Sequence, residues 1–402
     1  MKRYFYTLMF VVALTTNIFS QAWKQEASIP TSRVSPIYCA VNGKGYVGMG
    51  WLSNSTYGSD FWEYDTLTNT WTRKADFPAD GRHSATAYAV KGKIYSFFGF
   101  DNSQNCRNDV WEYDPLTDKW TQKNLFPGIA RYNGRGFVIN DSLIYIGTGT
   151  YNNGNDYLHD FWMYNPSTDT WMQMQDFPGG PRMAAVSFEI NGIGYYGTGL
   201  ADSYTPTNDF WKYNPASDTW TQIPSFPGSP RAGLTGFVIN NEGYVGSGFD
   251  NSYFYNTFYK FNPSNNTWSQ IQSVPYFNNE SGVGFTLGNK GYTGMGWDIY
   301  NEFSDFWQYD PNGFPQGVIT LNKADIQLYP DPASNVVTIA LQKSLFTDGT
   351  VASIYSVQGQ LIKQYSLAQE KIELDISGLT SGLYIVKVFN KSQQFVSRLI
   401  KE

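Results

Sequence analysis

Charged residues are scarce in this sequence. They make up only 15% of its 402 residues, and the stretch 21–317 carries 18 Lys and Arg against 27 Asp and Glu, a net charge of −9. A domain with this acidic balance lacks the basic surface that nucleic-acid phosphates require. Long runs of like charge, or of Gln and Pro, are also missing, which argues against a disordered chain or a coiled coil.

Cysteine and histidine are equally sparse. The two cysteines, Cys39 and Cys106, exclude a disulfide framework, since they allow at most one bridge and fit free core thiols equally well. The two histidines are His83 and His159, which leaves few ligands for copper or zinc. No long apolar run follows residue 19, so no membrane span is expected in the mature chain.

The N-terminus has the pattern of a secretory signal peptide. Lys2 and Arg3 precede an uncharged stretch from Tyr4 to Phe19, and the small residue Ser20 comes before a polar segment. The apolar stretch is short for a bilayer span. We therefore predict that residues 1–20 are a signal peptide, with an uncleaved anchor as the alternative.

Aromatic residues, by contrast, make up 18% of the chain, and all 13 Trp lie between Trp23 and Trp307. An aromatic-Trp-x-Tyr-Asp/Asn motif recurs in this part, with Tyr259 replacing the Trp once, and a second Trp follows some nine residues later. The motif begins at Phe61, Val110, Phe161, Phe210, Phe258 and Phe306, and the second Trp is Trp71, Trp120, Trp171, Trp220 and Trp268. Spacings of 48 to 51 residues indicate an internal repeat.

Each repeat contains two further predicted strands. One carries Gly-x-Gly after a Tyr, as in 46–50, although the stretch 95–99 keeps only the second Gly. The strand before it has small residues and one aromatic residue in each unit: Tyr38, Tyr88, Phe137, Phe188, Phe237 and Phe285. Four short strands in about 49 residues predict one blade of a β-propeller, with the small residues at the crowded axis.

The repeat resembles the Kelch family of β-propellers, whose signature is a glycine pair followed by a Tyr and a Trp at set spacing. The resemblance covers residues 21–317 and implies an all-β, six-bladed propeller. Trp23 is an isolated outer-strand Trp, whereas the last unit ends at Asp310 without one. We therefore expect the N-terminal strand to complete the sixth blade and to remove two free sheet edges.

Residues 318–402 alternate in β-branched segments, which predicts a small Ig-like β-sandwich. The segments 328–332, 381–388 and 399–401 (LYPDP, SGLYIVKV and LIK) resemble the type A C-terminal sorting domain of the type IX secretion system. The resemblance implies handling by that secretion machinery, removal of this domain, and release or attachment at the outer surface of a Gram-negative bacterium. An ordinary accessory sandwich is the alternative.

Five arginines recur at one position of the repeat, three or four residues past the proline that ends an outer strand. They are Arg33, Arg82, Arg131, Arg182 and Arg231, and the sixth unit has Asn279 and then Glu280. The forked guanidinium suits planar anions, and in Kelch propellers the matching arginines often line the mouth and bind acidic peptides or anionic sugars. These five are our candidate binding residues, although their repetition favours the alternative that each braces its own blade.

The loops between the second and third strands are long and differ from blade to blade, so a site is expected on their face of the disc. Trp51, Tyr57, Tyr151 and Tyr204 lie in these loops. Their rings could stack on sugars or fill the interior of the loops.

Signals of catalysis are weak. No nucleophile elbow, phosphate loop or zinc spacing is present, and we expect no metal and no cofactor. Galactose oxidase has a Kelch propeller with a copper site of two His and two Tyr, but His83 and His159 are nearly a blade and a half apart. N-acetylneuraminate epimerase is another Kelch propeller, and Glu280 beside the arginines is a weak catalytic candidate for such chemistry.

The sequence thus predicts a secreted or cell-surface propeller that binds an anionic or carbohydrate ligand or a protein partner, and not nucleic acid. A carbohydrate-active enzyme resembling N-acetylneuraminate epimerase is the alternative. Without a known shift in the pKa of Glu280, a surface role of this residue is favoured over catalysis.

Overall fold

The structure, a computed structural model, describes residues 22–275, 279–314, 326–341, 350–356, 361–367, 369–389 and 394–402. The predicted signal peptide, residues 1–20, lies outside the described residues. The chain divides into two compact units, Met1–Phe314 and Pro315–Glu402. Within the described ranges, no helix is long and apolar enough to cross a membrane.

The described residues of the first unit form six antiparallel sheets, which we call blades 1 to 6. Five have four strands, and the sheet of blade 4 has Arg182–Met183 as a fifth. From the innermost strand outward, their strands are Ile37–Val41, Lys44–Gly48, Phe61–Asp65 and Thr70–Lys74; Thr86–Val90, Lys93–Phe97, Val110–Asp114 and Lys119–Lys123; Arg135–Ile139, Leu143–Gly147, Phe161–Asn165 and Thr170–Met174; Val186–Ile190, Ile193–Ala201, Thr205–Asn214 and Thr219–Ile223; Thr235–Ile239, Glu242–Gly246, Phe258–Asn262 and Thr267–Gln270; and Val283–Leu287, Lys290–Gly294, Phe306–Tyr309 and Trp23–Glu26. The innermost strands of successive blades are in contact, and blade 6 contacts blade 1. The sheets therefore close into a β-propeller.

The N-terminal strand completes the ring, as expected from the sequence. Trp23–Glu26 pairs antiparallel with Phe306–Tyr309 and forms the outer edge of blade 6. The Trp23 side chain is fully buried, and its Nε1 donates a hydrogen bond of 2.8 Å to the carbonyl oxygen of Gln272 in the segment after blade 5. The first strand of the propeller thus contacts its last two blades.

A closed circle of backbone hydrogen bonds joins the blades near the axis. Each blade contributes one residue with a φ between 50° and 66°, just ahead of its innermost strand. The N–H of each residue donates to the carbonyl oxygen of its counterpart in the preceding blade, at 2.8–3.1 Å. The six residues are Ser35, Ser84, Asn133, Ala184, Gly233 and Ser281. Five of them carry a Cβ in the left-handed region, a conformation that persists because the surrounding bonds hold it.

A second circle explains the last glycine of each Gly-x-Gly strand. These glycines have φ between 84° and 109°, and each N–H donates to the carbonyl oxygen at the arginine position of the next blade, at 2.7–3.0 Å. They are Gly50, Gly99, Gly149, Gly199, Gly248 and Gly296. A Cβ at Gly50 would lie 2.8 Å from the carbonyl oxygen of Val34, so a larger residue would separate neighbouring segments.

The repeated tryptophans tie strands and blades together. In five blades, the first Trp donates its Nε1 hydrogen to the aspartate two residues earlier, at 2.6–2.8 Å. The second Trp commonly donates to a main-chain carbonyl before its blade, as Trp71 does to Ala27 at 2.8 Å. The Nε1 of Trp171 is buried without a hydrogen-bond partner in the described part of the chain. Most of the aromatic excess therefore serves the architecture.

Strand register corrects the predicted alignment of one aromatic residue. Cys39 pairs with Tyr46, just as Tyr88 pairs with Tyr95 in the next blade. Cys39, and not Tyr38, therefore occupies the aromatic position of blade 1. Because successive side chains of a strand point to opposite sides, Tyr38 takes a position that is Ala, Gly or Ser in the other blades, and it lines the central channel.

Short strand pairs and turns build one face of the propeller. The paired strands are Arg33–Val34 with Trp51–Leu52, Arg82–His83 with Phe100–Asp101, Thr150–Tyr151 with Asp156–Tyr157, and Arg182–Met183 with the end of Ile193–Ala201; Asn152–Gly154 and Asp202–Tyr204 are 3₁₀ turns. We call this the loop face. Its loops are residues 51–60, 100–109, 150–160, 200–209, 249–257 and 297–305.

The described residues of the second unit form two antiparallel sheets. One is formed by Ile326–Tyr329, Val336–Leu341 and Lys371–Asp375, and the other by Leu361–Ser366, Val351–Ser356, Gly382–Phe389 and Gln394–Lys401. Alternate residues of both sheets, such as Val337, Ile339, Ile354 and Val386, are buried in one shared core. The predicted two-sheet arrangement is therefore present.

Replacement of Trp23 tests how much the closing strand stabilises the propeller. Trp23→Ala removes a fully buried indole, a change that costs roughly 3–5 kcal/mol in a well-packed core. We expect the thermal midpoint of the propeller to fall by about 5–10 °C. Trp51→Ala, a loop residue 43% exposed, is the matched control, with an expected change of less than about 2 °C. Equal melting curves for wild type and Trp23→Ala, measured by calorimetry, would contradict closure by this strand.

Candidate functional site

Four of the five candidate arginines form the same salt bridge beneath the loop face. The guanidinium donates to both carboxylate oxygens of an aspartate that precedes the third strand, at 2.5–3.3 Å. The pairs are Arg33–Asp60, Arg82–Asp109, Arg131–Asp160 and Arg182–Asp209. Each guanidinium also donates to a carbonyl of the Gly-x-Gly segment, as Arg131 does to Thr148 at 2.9 Å. Aromatic rings cover three of them, since Phe77, Phe126 and Phe177 lie 4.7–4.8 Å from the guanidinium carbon.

These arginines are buried, with relative exposures of 0–2%. Burial alone would raise the pKa of Asp60, Asp109 and Asp160, but the hydrogen bonds and charge of the partner arginine outweigh it and hold each pKa below its ordinary value. A buried pair that loses one partner costs about 3–5 kcal/mol. The geometry supports the bracing alternative, and it leaves these four guanidinium groups without access to a ligand.

Blades 5 and 6 depart from this arrangement. Arg231 has Thr257 where the other blades have aspartate, and it donates to the Thr257 hydroxyl at 3.1 Å. The ring of Tyr255 stacks over this guanidinium at 3.6 Å, so Arg231 is also buried, at 2% exposure. In blade 6 the arginine is replaced by Asn279, while the aspartate, Asp305, is retained.

An aromatic cluster lies on the loop face at blades 1 to 3. It consists of Trp51, Tyr57, His83, Phe100 and Tyr132, whose neighbouring ring centroids are 4.5–6.5 Å apart. Trp51 is 43% exposed and the other four are partly exposed. We call these five residues the aromatic surface. Rings that are fixed by one another present a preformed apolar platform at low entropic cost.

The loops of blades 4 to 6 extend the apolar character of this face. Phe254 contacts Phe249 and Trp297, with centroid distances of 4.5 and 6.0 Å. Trp297, Tyr204, Tyr253, Ile299 and Tyr300 are 39–84% exposed. On the opposite face, Leu67 and Leu116 stand singly in hairpin turns, at 91% and 89% exposure. Clustered exposed aromatic residues are therefore a property of the loop face.

Glu280 lies between these aromatic groups and the axis. Its Oε1 accepts a hydrogen bond of 3.0 Å from the Nε1 of Trp297. A Cβ on Gly233 would lie 2.7 Å from Oε2, so glycine leaves room for this carboxylate. Burial raises the pKa of Glu280 to about 7, against the smaller opposing effect of the Trp297 hydrogen bond. A carboxyl group of this pKa is suited to exchange protons near neutral pH.

His83 takes the corresponding position in blade 2, directly after Arg82. Its Nδ1 is 2.8 Å from the Ser84 hydroxyl, and burial lowers its pKa to about 4. The imidazole is therefore neutral at pH 7. His159 directly precedes Asp160 and is not part of the aromatic surface. Among the described residues, no group of three His, Cys, Asp or Glu side chains is placed to hold a metal ion.

The innermost strands of all six blades enclose a central cavity of about 320 Å³. Small residues such as Ala87, Gly136 and Gly236 keep it open, whereas Tyr38 narrows it from blade 1. Arg135 and Glu189 are the charged residues among the described residues that line it. Cys39 also lines the cavity and forms no disulfide with Cys106.

Sequence reasoning identified the arginines but missed their partners. The aspartates recur 27–29 residues after the arginines, each two residues before a Trp. An arginine and an aspartate that recur together at this separation are the sequence signal for such a buried salt bridge. Tyr132 was also missed. It belongs to blade 3, whereas its contacts His83 and Phe100 belong to blade 2, so the group forms only when the two blades pack together.

Comparison with known families agrees with this architecture. A ring of blades with Gly-x-Gly strands and paired tryptophans defines the class of Kelch propellers. The model of the KLHDC2/KLHL20/DRC7 Kelch-repeats domain matches residues 5–189 and 77–228, more than half of the chain, so the protein belongs to the Kelch-repeat family. Residues 327–402 match the secretion system C-terminal sorting domain. This domain of the type IX system marks the protein as secreted or located at the outer surface.

Solved structures support the fold and go no further. A structure entitled "Structure of YjhT" matches with a TM-score of 0.61 and 17% sequence identity, over 70% of this chain and 95% of that chain. In all, 477 solved chains match significantly, so the fold is widely shared and does not by itself define a function. No curated protein matches the chain significantly.

The raised pKa of Glu280 has a consequence for stability. An acid whose pKa is higher in the folded state contributes stability below its unfolded pKa and loses it as the pH rises through the folded value. Since the Glu280 pKa is raised from 4.5 to about 7, wild type should lose stability between about pH 5 and pH 8. Glu280→Gln removes this loss, so its advantage in thermal midpoint over wild type should grow across this range. An advantage that is independent of pH would contradict the assigned shift.

Proposed function

We propose that the protein is a secreted propeller that binds a carbohydrate at the loop face. The observation that carries the proposal is the aromatic surface of Trp51, Tyr57, His83, Phe100 and Tyr132. Aromatic rings stack on the apolar faces of sugars, and clusters of exposed rings are uncommon on a surface that has no partner. The rigid ring of blades holds the loops in place, as in other scaffolds that display binding loops.

The charges on this face favour a neutral glycan over an anionic one. The six loops contain eleven Asp and Glu but one basic residue among Lys and Arg, Arg107. That residue is itself paired with Asp80 and Asp101. Four of the eleven, Asp60, Asp109, Asp160 and Asp209, are neutralised by the buried arginines, which leaves seven acidic side chains in the loops. An anionic sugar or acidic peptide would meet repulsion here.

Substitution of exposed rings tests the binding proposal. A glycan array is probed with the full chain, and the glycans that bind are then titrated by calorimetry. We expect Trp51→Ala and Tyr57→Ala each to weaken binding about tenfold or more, as for aromatic residues that dominate an interface. Leu67→Ala and Leu116→Ala, on the opposite face, are matched controls that should leave the affinity unchanged. Equal losses for both faces, or binding that prefers acidic glycans, would contradict the proposal.

A second candidate is a carbohydrate-active enzyme resembling N-acetylneuraminate epimerase. Glu280 favours it, because a carboxyl group with a pKa of about 7 suits general acid–base catalysis. Conversion of N-acetylneuraminate between its anomers would be followed by NMR with wild type and Glu280→Gln. Catalysis by wild type, with a rate that depends on ionisation near pH 7 and is lost in Glu280→Gln, would support the enzyme. A wild-type rate equal to the uncatalysed rate would exclude this enzymatic function.

A further inference from the structure

Blade 6 keeps the frame of the salt bridge that braces blades 1 to 4 but lacks its cation. Asp305 stands at the aspartate position and accepts a hydrogen bond of 2.6 Å from Trp307, as the other aspartates do from their tryptophans. Asn279 stands at the arginine position, and its amide nitrogen donates to the carbonyl of Met295. In blade 1 the corresponding Met49 carbonyl accepts from Arg33. The acceptors are therefore in place around a missing guanidinium.

Two buried oxygens are left without partners by this replacement. Neither Asp305 Oδ1 nor Asn279 Oδ1 has a hydrogen-bond partner among the described residues, although Asn279 is only 1% exposed. Buried polar atoms without a partner are few in folded proteins, and each costs stability. Burial raises the pKa of Asp305, against the opposing bond from Trp307, whereas the pKa of the braced Asp60 lies below its usual value. The contrast identifies a carboxyl group that lacks a cation.

The neighbouring side chains are also smaller here. Asn279 is several atoms shorter than the arginine that it replaces. Val274 takes the place of the phenylalanine that covers the guanidinium in blades 2 to 4, such as Phe126 in blade 3. We call Asn279, the Met295 carbonyl and Asp305 the blade 6 socket.

We propose that the blade 6 socket binds a guanidinium group from outside the chain, carried by an arginine side chain of a peptide or protein ligand. The other blades show that the same positions accept this group through a forked contact with the carboxylate and a bond to a main-chain carbonyl. A guanidinium presents five N–H donors in one plane, which matches the free oxygens of Asp305 and Asn279.

The surroundings of the socket favour a cation that arrives from solvent. Asp305 and Glu280, the residue after Asn279, are both partly exposed. The loop of blade 6 also carries Asp298 and Glu302 without a basic residue. Acidic loops raise the local concentration of cations and guide them to a buried carboxylate. The socket is therefore distinct from the aromatic surface of blades 1 to 3. It requires a cationic ligand, whereas the aromatic surface suits a neutral glycan.

Thermal unfolding of the full chain tests the socket. Guanidinium chloride is added at low millimolar concentration, far below denaturing amounts, and compared with equal sodium and potassium chloride. A ligand that binds only the folded state stabilises it by mass action, so we expect a rise of roughly 3 °C in thermal midpoint at ten times the dissociation constant. An equal rise with sodium or potassium would overturn the proposal in favour of a metal-ion or salt effect. No rise with guanidinium would also overturn it.

Variants locate the effect in blade 6. Asn279→Arg supplies the missing group from within the chain, so it should raise the midpoint and abolish the response to guanidinium. Asp305→Asn should abolish the response through loss of the carboxylate. This variant still tests the socket if Asn279→Arg does not fold. Thr257→Asp adds the missing acid of blade 5 without changing the socket, so it should respond as wild type does. A response that persists in Asp305→Asn would place the site elsewhere.

A last comparison separates a side chain from the free ion. N-acetylarginine amide carries the guanidinium on the flexible stem of an arginine residue, and N-acetyllysine amide is its matched control. We expect the arginine compound to raise the midpoint of wild type but not that of Asp305→Asn, and the lysine compound to have a smaller effect because its ammonium cannot form the forked contact. A response to the free ion alone would overturn the assignment to an arginine side chain.

Discussion

The circle of peptide hydrogen bonds around the axis is the constraint on which the propeller depends. Each of its members holds a left-handed backbone, and it fixes the position of the residue two places earlier, the arginine or Asn279. The arginine carbonyl accepts from the glycine of the neighbouring blade, while its side chain binds the aspartate of its own blade. One short segment thus joins two blades through its main chain and locks a third strand through its side chain. The loops therefore start from fixed points.

The repetition of the same contacts in each blade explains which features could be predicted from the sequence. The strands of each blade, the closing role of Trp23 and the two-sheet tail follow from local patterns that repeat or alternate. Their side chains contact neighbours at constant separations along the chain, so the pattern is visible in the sequence. The one-residue shift at Tyr38 was missed because Cys39 removed the aromatic landmark from blade 1. Register is decided by pairing with Tyr46, which composition does not report.

The site was less accessible to sequence reasoning for a physical reason. A repeated arginine suggests an anion site when it is considered alone, but the aspartate that neutralises it lies 27–29 residues further along the chain. Once paired and buried, the arginines leave the loop face acidic, and its aromatic rings become its most distinctive chemistry. The same pairing rule makes the exceptions informative. Blade 5 lacks the acid beside Arg231 and covers the guanidinium with Tyr255, whereas blade 6 lacks the base beside Asp305 and leaves open acceptors.

The closure of blade 6 by Trp23–Glu26 also imposes an order on folding. Trp23 pairs with Tyr309, so nearly the whole propeller must have left the ribosome before the ring can be completed. Long-range pairing of this kind is slow because the loop must close before its contacts form. Until then, the third strand of blade 6 has a free edge, and the two ends of the ring can separate.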